Sequence, residues 1–268
     1  MTSALPTVSP PSGVLPASEQ QPLMQLAGNV TADSVSAVAA NIKRLTAGAP
    51  LGVVYLGRQP YRPVWALQKR LHAWRVAGAI PDVVLLLEHE PVYTLGKHAD
   101  PNHLLAARPA GAEVVRTDRG GDVTYHGPGQ LVGYPIVNLM AHRPSVSWYL
   151  RGLEEVIIAA LASYGVAAGR EAGLTGVWIR RRKVAALGVR LARWTATHGF
   201  AINVHVSAIY FDGLIPCGLL EYGVANLNDF LAVPTDVWTV ARRVSPALHR
   251  FLGGRHGEVP RLHQSPAA

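Results

Sequence analysis

The chain has 268 residues, 49% of them hydrophobic and only 16% charged, with one cysteine and a formal net charge of +8. That length holds one large domain or two small ones, and its apolar share is enough for a sizeable core, which excludes global disorder. A single thiol excludes an internal disulfide framework and a cysteine-based zinc site. The positive charge suits an acidic partner without choosing among nucleic acid, anionic lipid and an acidic carrier protein.

Residues 1–30 begin "MTSALPTVSPPSGVLPASEQQP" and are rich in Pro, Ser and Ala. They lack the basic start and apolar run of a signal peptide and read as a disordered tail. "TADSVSAVAANIKRL" predicts a short helix over about 32–46, and "LGVVYLG" (51–57) a strand. In the following "YRPVWALQKRLHAWRVAG", Val64, Leu67, Leu71 and Trp74 fall at helical spacing, and Gly78 closes the helix. "DVVLLLEHEPVYTLG" (82–96) reads as a buried strand, a proline break and a second short strand.

"AEVVRTDRGG", "DVTYHG" and "QLVGYPIVNL" (130–139) predict three more strands. "SVSWYLRGLEEVIIAALASYG" (145–165) is the clearest helix, with Ser145 or Ser147 as cap and Gly165 at its end. "GVWIRRRKVAALGVRL" (176–191) alternates around a basic turn, as a β-hairpin does, and "HGFAINVHV" adds a strand. The stretch from Pro234 to about Leu252 contains a last helix. No segment approaches a membrane span. With no internal repeat, the pattern predicts an α+β fold, a mixed β-sheet flanked by helices. One domain covers 31–255, and 256–268 forms a flexible tail.

The chemistry-bearing residues are few. Cys217 stands in "GLIPCGLLEYG", where Pro216 and Gly218 place it on a turn that a substrate can approach, although a lone cysteine is more often a small buried hydrophobe. A nucleophilic thiol needs a cation or base nearby, because its ordinary pKa of about 8.5 leaves little thiolate at neutral pH. Lys183, at the start of the hairpin's second strand, is one candidate; His126 and His198 are rivals, and the sequence does not rank them. Gly120, Gly121, Gly127 and Gly129 let the backbone approach a ligand closely. Their spacing fits neither a dinucleotide fingerprint nor a phosphate-binding loop, and the bland alternative is a tight hairpin connection. The histidines sit on separate predicted elements, so no metal is expected.

As a whole, "RGGDVTYHGPGQLVGYPI" resembles the signature of the lipoyl(octanoyl) transferases of lipoate biosynthesis. "LLLEHEPVYTLGKHA", "GVWIRRRKVAALGVRL", "THGFAINV" and "IPCGL" resemble other segments of that family, in family order from about 51 to 230. The resemblance implies the catalytic-domain fold of biotin and lipoate protein ligases. It also implies an enzyme that moves an octanoyl group from octanoyl-acyl carrier protein onto a cysteine. The group then passes to a lysine of the lipoyl domains of 2-oxoacid dehydrogenases or of the glycine cleavage H protein. Carried over, Cys217 is the acyl-thioester nucleophile, and Lys183 lowers its pKa and serves as general acid/base. Arg119, Gly120, Gly121, Asp122, Val123, Thr124, Tyr125 and His126 line the acyl pocket. Ala186, Leu187 and Gly188 form a further wall with Gly199, Phe200 and Ala201. No cofactor is implied, no nucleic acid or membrane partner is expected, and the location is cytoplasmic.

The run "VAALG" after Lys183 departs from family members that carry a Cys and a Ser before "LG", so any contact at Ala186 is through backbone. Arg180, Arg181, Arg182, Arg190 and Arg193 are candidate docking charges for acidic partners, or a solvated face. Trp148, Trp178 and Trp194 suit packing better than a nucleic-acid platform. Three other readings compete. An ATP-dependent lipoate or biotin ligase has the same fold but lacks support from any adenylate loop here. A non-catalytic binding module would not need Cys217. A cysteine hydrolase conflicts with a site that must exclude water.

Overall fold

The computed structural model describes residues 23–215 and 223–254. In chain order the elements begin with β1 (Met24–Gln25), α1 (Val35–Leu45), β2 (Leu51–Gln59), α2 (Tyr61–Val76), β3 (Asp82–His89) and β4 (Val92–Leu95). There follow β5 (Glu113–Arg116), β6 (Val123–His126), β7 (Gln130–Ile136), α3 (Val146–Ala162), β8 (Val177–Ile179) and β9 (Arg182–Ala192). β10 (Thr195–Asn203), β11 (Gly223–Val224) and α4 (Val237–Leu252) complete the fold.

The unbroken apolar run of β3 has a physical reason: both of its faces are covered. Val83, Leu85 and Leu87 pack with Val35, Ala39 and Ile42 of α1 and Val64, Leu67 and Leu71 of α2. Val84 and Leu86 join the opposite core, with Tyr149, Leu153 and Ile157 of α3 and Val240, Val244 and Leu248 of α4. Neighbouring β2 divides in the same way, Val54 and Leu56 to one side and Val53 and Tyr55 to the other. The main sheet runs in the order β1-β2-β3-β7-β10-β9-β11, with β8 paired to β9. β1, β2 and β3 are parallel, β3-β7-β10-β9 antiparallel, and β11 parallel to β9. This is the expected mixed sheet flanked by helices.

After β3 the chain breaks at Pro91 and enters a second sheet, β5-β4-β6. That small sheet carries the Gly-rich stretch. Its Val123 and Tyr125 pack with Tyr93, Leu95, Val206 and Leu214, a third core separate from the two under the main sheet.

Ser145 caps α3 as expected, its hydroxyl accepting from Trp148 N–H, and Gly165 follows the helix at φ +74. Buried Glu154 of α3 accepts from Arg151 and Arg170 and from Gly176 N–H at 3.0 Å, which ties the helix to the start of the β8–β9 hairpin. One expectation is corrected. Residues 23–30 are not disordered tail: Met24 and Gln25 pair with Val54 and Tyr55, and buried Val30 donates its N–H to Gln59 Oε1 at 2.7 Å. The open edge of β2 and the apolar gap beside α1 supply partners that the local composition does not announce. The remainder of the expected tails, residues 1–22 and 255–268, lies outside the described residues. Among the described residues no helix is long and apolar enough to cross a membrane.

Candidate active site

Arg119 shapes the Gly-rich stretch from inside. Its buried guanidinium donates to Thr94 O at 2.6 Å, Thr94 Oγ1 at 3.0 Å, Asp122 O at 2.7 Å and Gly120 O at 3.0 Å. Those are neutral acceptors on β4 and on the stretch itself, so the fixed fork of the guanidinium folds residues 119–122 back over β4. The loop closes onto the main sheet through Gly120 N–H, which donates to Val189 O of β9 at 2.9 Å. Gly121 adopts φ +85, which costs glycine little and other residues more. Asp122 caps the neighbouring turn, accepting from Asp100 N–H and pairing with His103.

Between this loop and the main sheet lies a cleft of about 510 Å³, counting the part open to solvent. One wall is Arg119, Gly121, Asp122, Val123, Thr124 and His126. The other comprises Tyr134 of β7, Ala186, Leu187 and Gly188 of β9, and His198, Gly199, Phe200 and Ala201 of β10. The structure therefore brings three separate expected stretches around one space. Two members fall outside it. Gly120 spends its backbone on β9, and Tyr125 points to the opposite face of β6. There it packs among Tyr93, Phe211 and a stacked Tyr210.

Two histidines sit on the walls, both neutral. His126 Nδ1 lies 2.8 Å from Gln130 Oε1, and burial pushes its pKa down to about 3. His198 Nε2 bonds Asp118 at 2.9 Å, and Arg190 bonds the other Asp118 oxygen at 2.9 Å. Burial lowers the pKa of His198 despite the opposing pull of Asp118, whose own carboxyl is held at about 2 chiefly by that hydrogen bond. The backbone of His198 is at φ +57, a left-handed conformation uncommon outside glycine and frequent at functional sites. Its N–H donates to buried Gln68 of α2 at 2.9 Å.

Lys183 is the second residue of β9, three positions before Ala186 and not itself on the cleft wall. It is buried, with Nζ 4.7 Å from the Trp178 ring centre, a cation–π contact across the hairpin. Its carbonyl accepts from Ala225 N–H at 3.0 Å just past β11. The expected nucleophile, Cys217, lies outside the described residues, between Ile215 and Gly223. The Ile215 N–H bonds His103 O at 2.9 Å, and Gly223 pairs with Arg182 beside Lys183. Of the candidate docking charges, Arg182 pairs with Asp229 and Arg190 with Asp118, whereas Arg180 and Arg181 form the exposed two-residue turn of the hairpin.

Sequence reasoning passed over Tyr134 as a wall and Asp118 as the partner of His198. Tyr134 sits within the quoted "LVGYPI", but only the pairing of β7 with β10 brings it to the cleft; Asp118 immediately precedes Arg119 and meets His198 only because Gly120 bonds β9 and β9 pairs with β10.

Residues 60–249 match the family model of the lipoyl protein ligase A/B catalytic domain. The chain is 54% identical over 164 residues to an octanoyltransferase of Gloeobacter violaceus, covering 61% of this chain and 73% of the relative. With an octanoyltransferase of Rubrobacter xylanophilus it shares 47% over 206 residues, 74% of this chain and 91% of the relative. Among solved structures it resembles lipoate-protein ligase A bound with ATP, at TM-score 0.58 and 17% identity over 76% of this chain and 85% of that one. The bipartite lipoate protein ligase of Thermoplasma acidophilum gives 0.59 and 17%, over 76% and 83%. These last two likenesses are of fold.

Proposed function

The chain belongs to the lipoyl protein ligase A/B catalytic family as one of its octanoyltransferases, and we propose that it transfers the octanoyl group in two steps through a thioester on Cys217. The donor is octanoyl-acyl carrier protein and the acceptor a lysine of a lipoyl domain, of 2-oxoacid dehydrogenases or of the glycine cleavage H protein. In the first step the Cys217 thiolate attacks the donor carbonyl and the carrier thiol leaves. In the second, the lysine amine attacks the enzyme thioester, the C–N bond forms, and the C–S bond breaks. Thioester and amide chemistry of this kind needs a thiolate, a proton manager and an orienting cleft, but no nucleotide.

Lys183 is the proton manager. An ammonium near a thiol favours the thiolate, and after losing its proton the same nitrogen takes one from the incoming amine. Its position supports the role: β9 carries Lys183 beside Val224 at one point and the cleft wall Ala186–Gly188 three residues later. The observation that carries the reading is the convergence of Arg119–His126, Ala186–Gly188 and Gly199–Ala201 on one cleft with apolar walls in Leu187, Phe200 and Ala201. Burying the seven carbons beyond an octanoyl carbonyl at about 0.8 kcal/mol each offers up to about 5–6 kcal/mol for holding the chain. The exposed Arg180–Arg181 turn gives an acidic carrier a cationic contact close to Lys183.

Steady-state kinetics with both proteins varied test the scheme. A covalent intermediate requires parallel double-reciprocal lines, and Lys183→Ala should lower kcat by two to four powers of ten, roughly the range for general acid–base groups. Intersecting lines would mean a ternary complex without an acyl-enzyme.

A further inference from the structure

Two backbone carbonyls and two side-chain amides decide where the proton sits on His126. A carbonyl oxygen only accepts. Ala225 O, 3.2 Å from Asn203 Nδ2, therefore fixes the Asn203 amide with Oδ1 toward Gln130. Gln130 Nε2 donates to that Oδ1 at 2.9 Å and to Tyr125 O at 3.1 Å, so a second carbonyl orients this amide independently. Its Oε1 is left facing His126 Nδ1 at 2.8 Å and can only accept, which puts the proton on Nδ1. All three side chains are buried, and Gln130 and Asn203 stand directly opposite each other on β7 and β10.

His126 is also uncharged. The groups around it are His89 of β3, Arg119, His198 of β10 and the stacked ring of Tyr61 from α2, none of them anionic at neutral pH. A neutral ring protonated at Nδ1 keeps a bare lone pair on Nε2. No hydrogen bond to Nε2 is made by the described residues, and the ring lines the cleft. The relay also reaches the proposed base: Ala225, held by Asn203 through its carbonyl, donates its N–H to Lys183 O.

We propose that Gln130 and Asn203 are positioning residues that hold His126 in the Nδ1–H form, so that its Nε2 accepts a hydrogen bond from the attacking lysine amine. This rests on the acyl-transfer reading above. A thioester and its alkyl chain offer no hydrogen-bond donor to such a lone pair, whereas the amine that enters in the second step does. The bond orients the nitrogen toward the thioester carbon while Lys183 takes the proton that the amine sheds. Burial makes His126 too weak a base to take it. His126 thus acts on the second half-reaction and leaves the first largely untouched.

Long-range proton–nitrogen NMR of the histidine-labelled full chain reads the ring directly. The expected spectrum has Nδ1 protonated and Nε2 bare throughout roughly pH 5.5 to 8.5. An Nε2–H tautomer, or an imidazolium in that window, overturns the proposal without any variant. Single-turnover measurements then separate the two steps. Gln130→Glu should raise the protonated fraction of His126 and slow discharge of octanoyl-enzyme onto a lipoyl domain by about tenfold or more. Acylation by octanoyl-acyl carrier protein should stay within about threefold of wild type. Asn203→Leu, which cuts the relay one link away, should let the Nε2–H tautomer of His126 appear in the same spectrum, and a ring that stays wholly Nδ1–H would show that Asn203 does not set it. If acyl-enzyme forms and both steps slow alike, His126 has no amine-orienting role. If wild type forms no acyl-enzyme, the transfer reading itself fails and takes this role with it.

Discussion

Gly96 governs the cleft although it touches nothing reactive. A Cβ there would collide with Gly121 O and crowd Arg119 Nη1, and the first of these is backbone that cannot rotate away. Gly96→Ala should therefore push residues 119–122 off β4, costing about 1–3 kcal/mol as overpacked sites do. A lower urea midpoint together with slower octanoyl transfer is the expected result; an unchanged midpoint would mean the loop is not clamped as described. At this scale the sequence was informative about residue type and silent about role. Glycines beside Arg119 point to close backbone approach, but that the guanidinium serves as an internal clip on Thr94 follows only from the pairing of β4 with β6. The His198–Asp118–Arg190 chain is likewise illegible, since its members are 80 and 72 positions apart at their first and last links and meet only through β9 and β10.

The β8–β9 hairpin carries an unusual local cost, as does the β9–β10 turn with Arg193 and Trp194 at φ +51 and +56. Arg180 and Arg181 occupy the two turn positions of the β8–β9 hairpin at φ +48 and +62. Both values are left-handed, where Asn-Gly is the favoured pair and bulky residues cost about 1–2 kcal/mol each. A contact with an acidic partner would explain why arginine stands there. The double change Arg180→Asn, Arg181→Gly should raise stability by about 1 kcal/mol, read as a higher urea midpoint, while raising KM for octanoyl-acyl carrier protein at low salt. An unaltered KM would leave the turn as a solvated face. Elements were otherwise the most legible level. Period-2 and helical patterns located every long strand and helix, because each buries its own stripe or both its faces. β1 escaped notice because two residues carry no periodicity, and only the exposed edge of β2 gives them a place.

For the molecule as a whole, the two apolar layers and the buried imidazoles between sheet and cleft set the pH response. Burial holds His89 at about 4 and His126 at about 3, against 6.5 for an unhindered ring. Both are neutral in the folded chain at neutral pH. Below about 6.5 the unfolded chain binds protons that the folded chain does not, so stability is full above that pH and falls as pH drops toward the folded values. At about pH 5 the loss reaches up to about 2 kcal/mol per imidazole. Asp118, held near 2, adds its own loss only below the ordinary carboxylate range. Urea unfolding at pH 7.5 and pH 5, taken as approximate endpoints, should give a clearly lower midpoint at the acid end. A flat profile would mean that these rings are protonated in the fold. Family and fold were legible at this scale from five ordered motifs, while the cleft's walls required the sheet order β7-β10-β9 to be known.

The acyl-enzyme is the central claim, and intact mass spectrometry tests it most directly. The full chain is mixed with octanoyl-acyl carrier protein in the absence of ATP, beside Cys217→Ser and Lys183→Ala. The expected result is an adduct of a single octanoyl group on the wild type, none on Cys217→Ser, slow formation on Lys183→Ala, and discharge when a lipoyl domain is added. No adduct on the wild type, with acylation of the lipoyl domain appearing only when ATP and free octanoate are supplied, would contradict it.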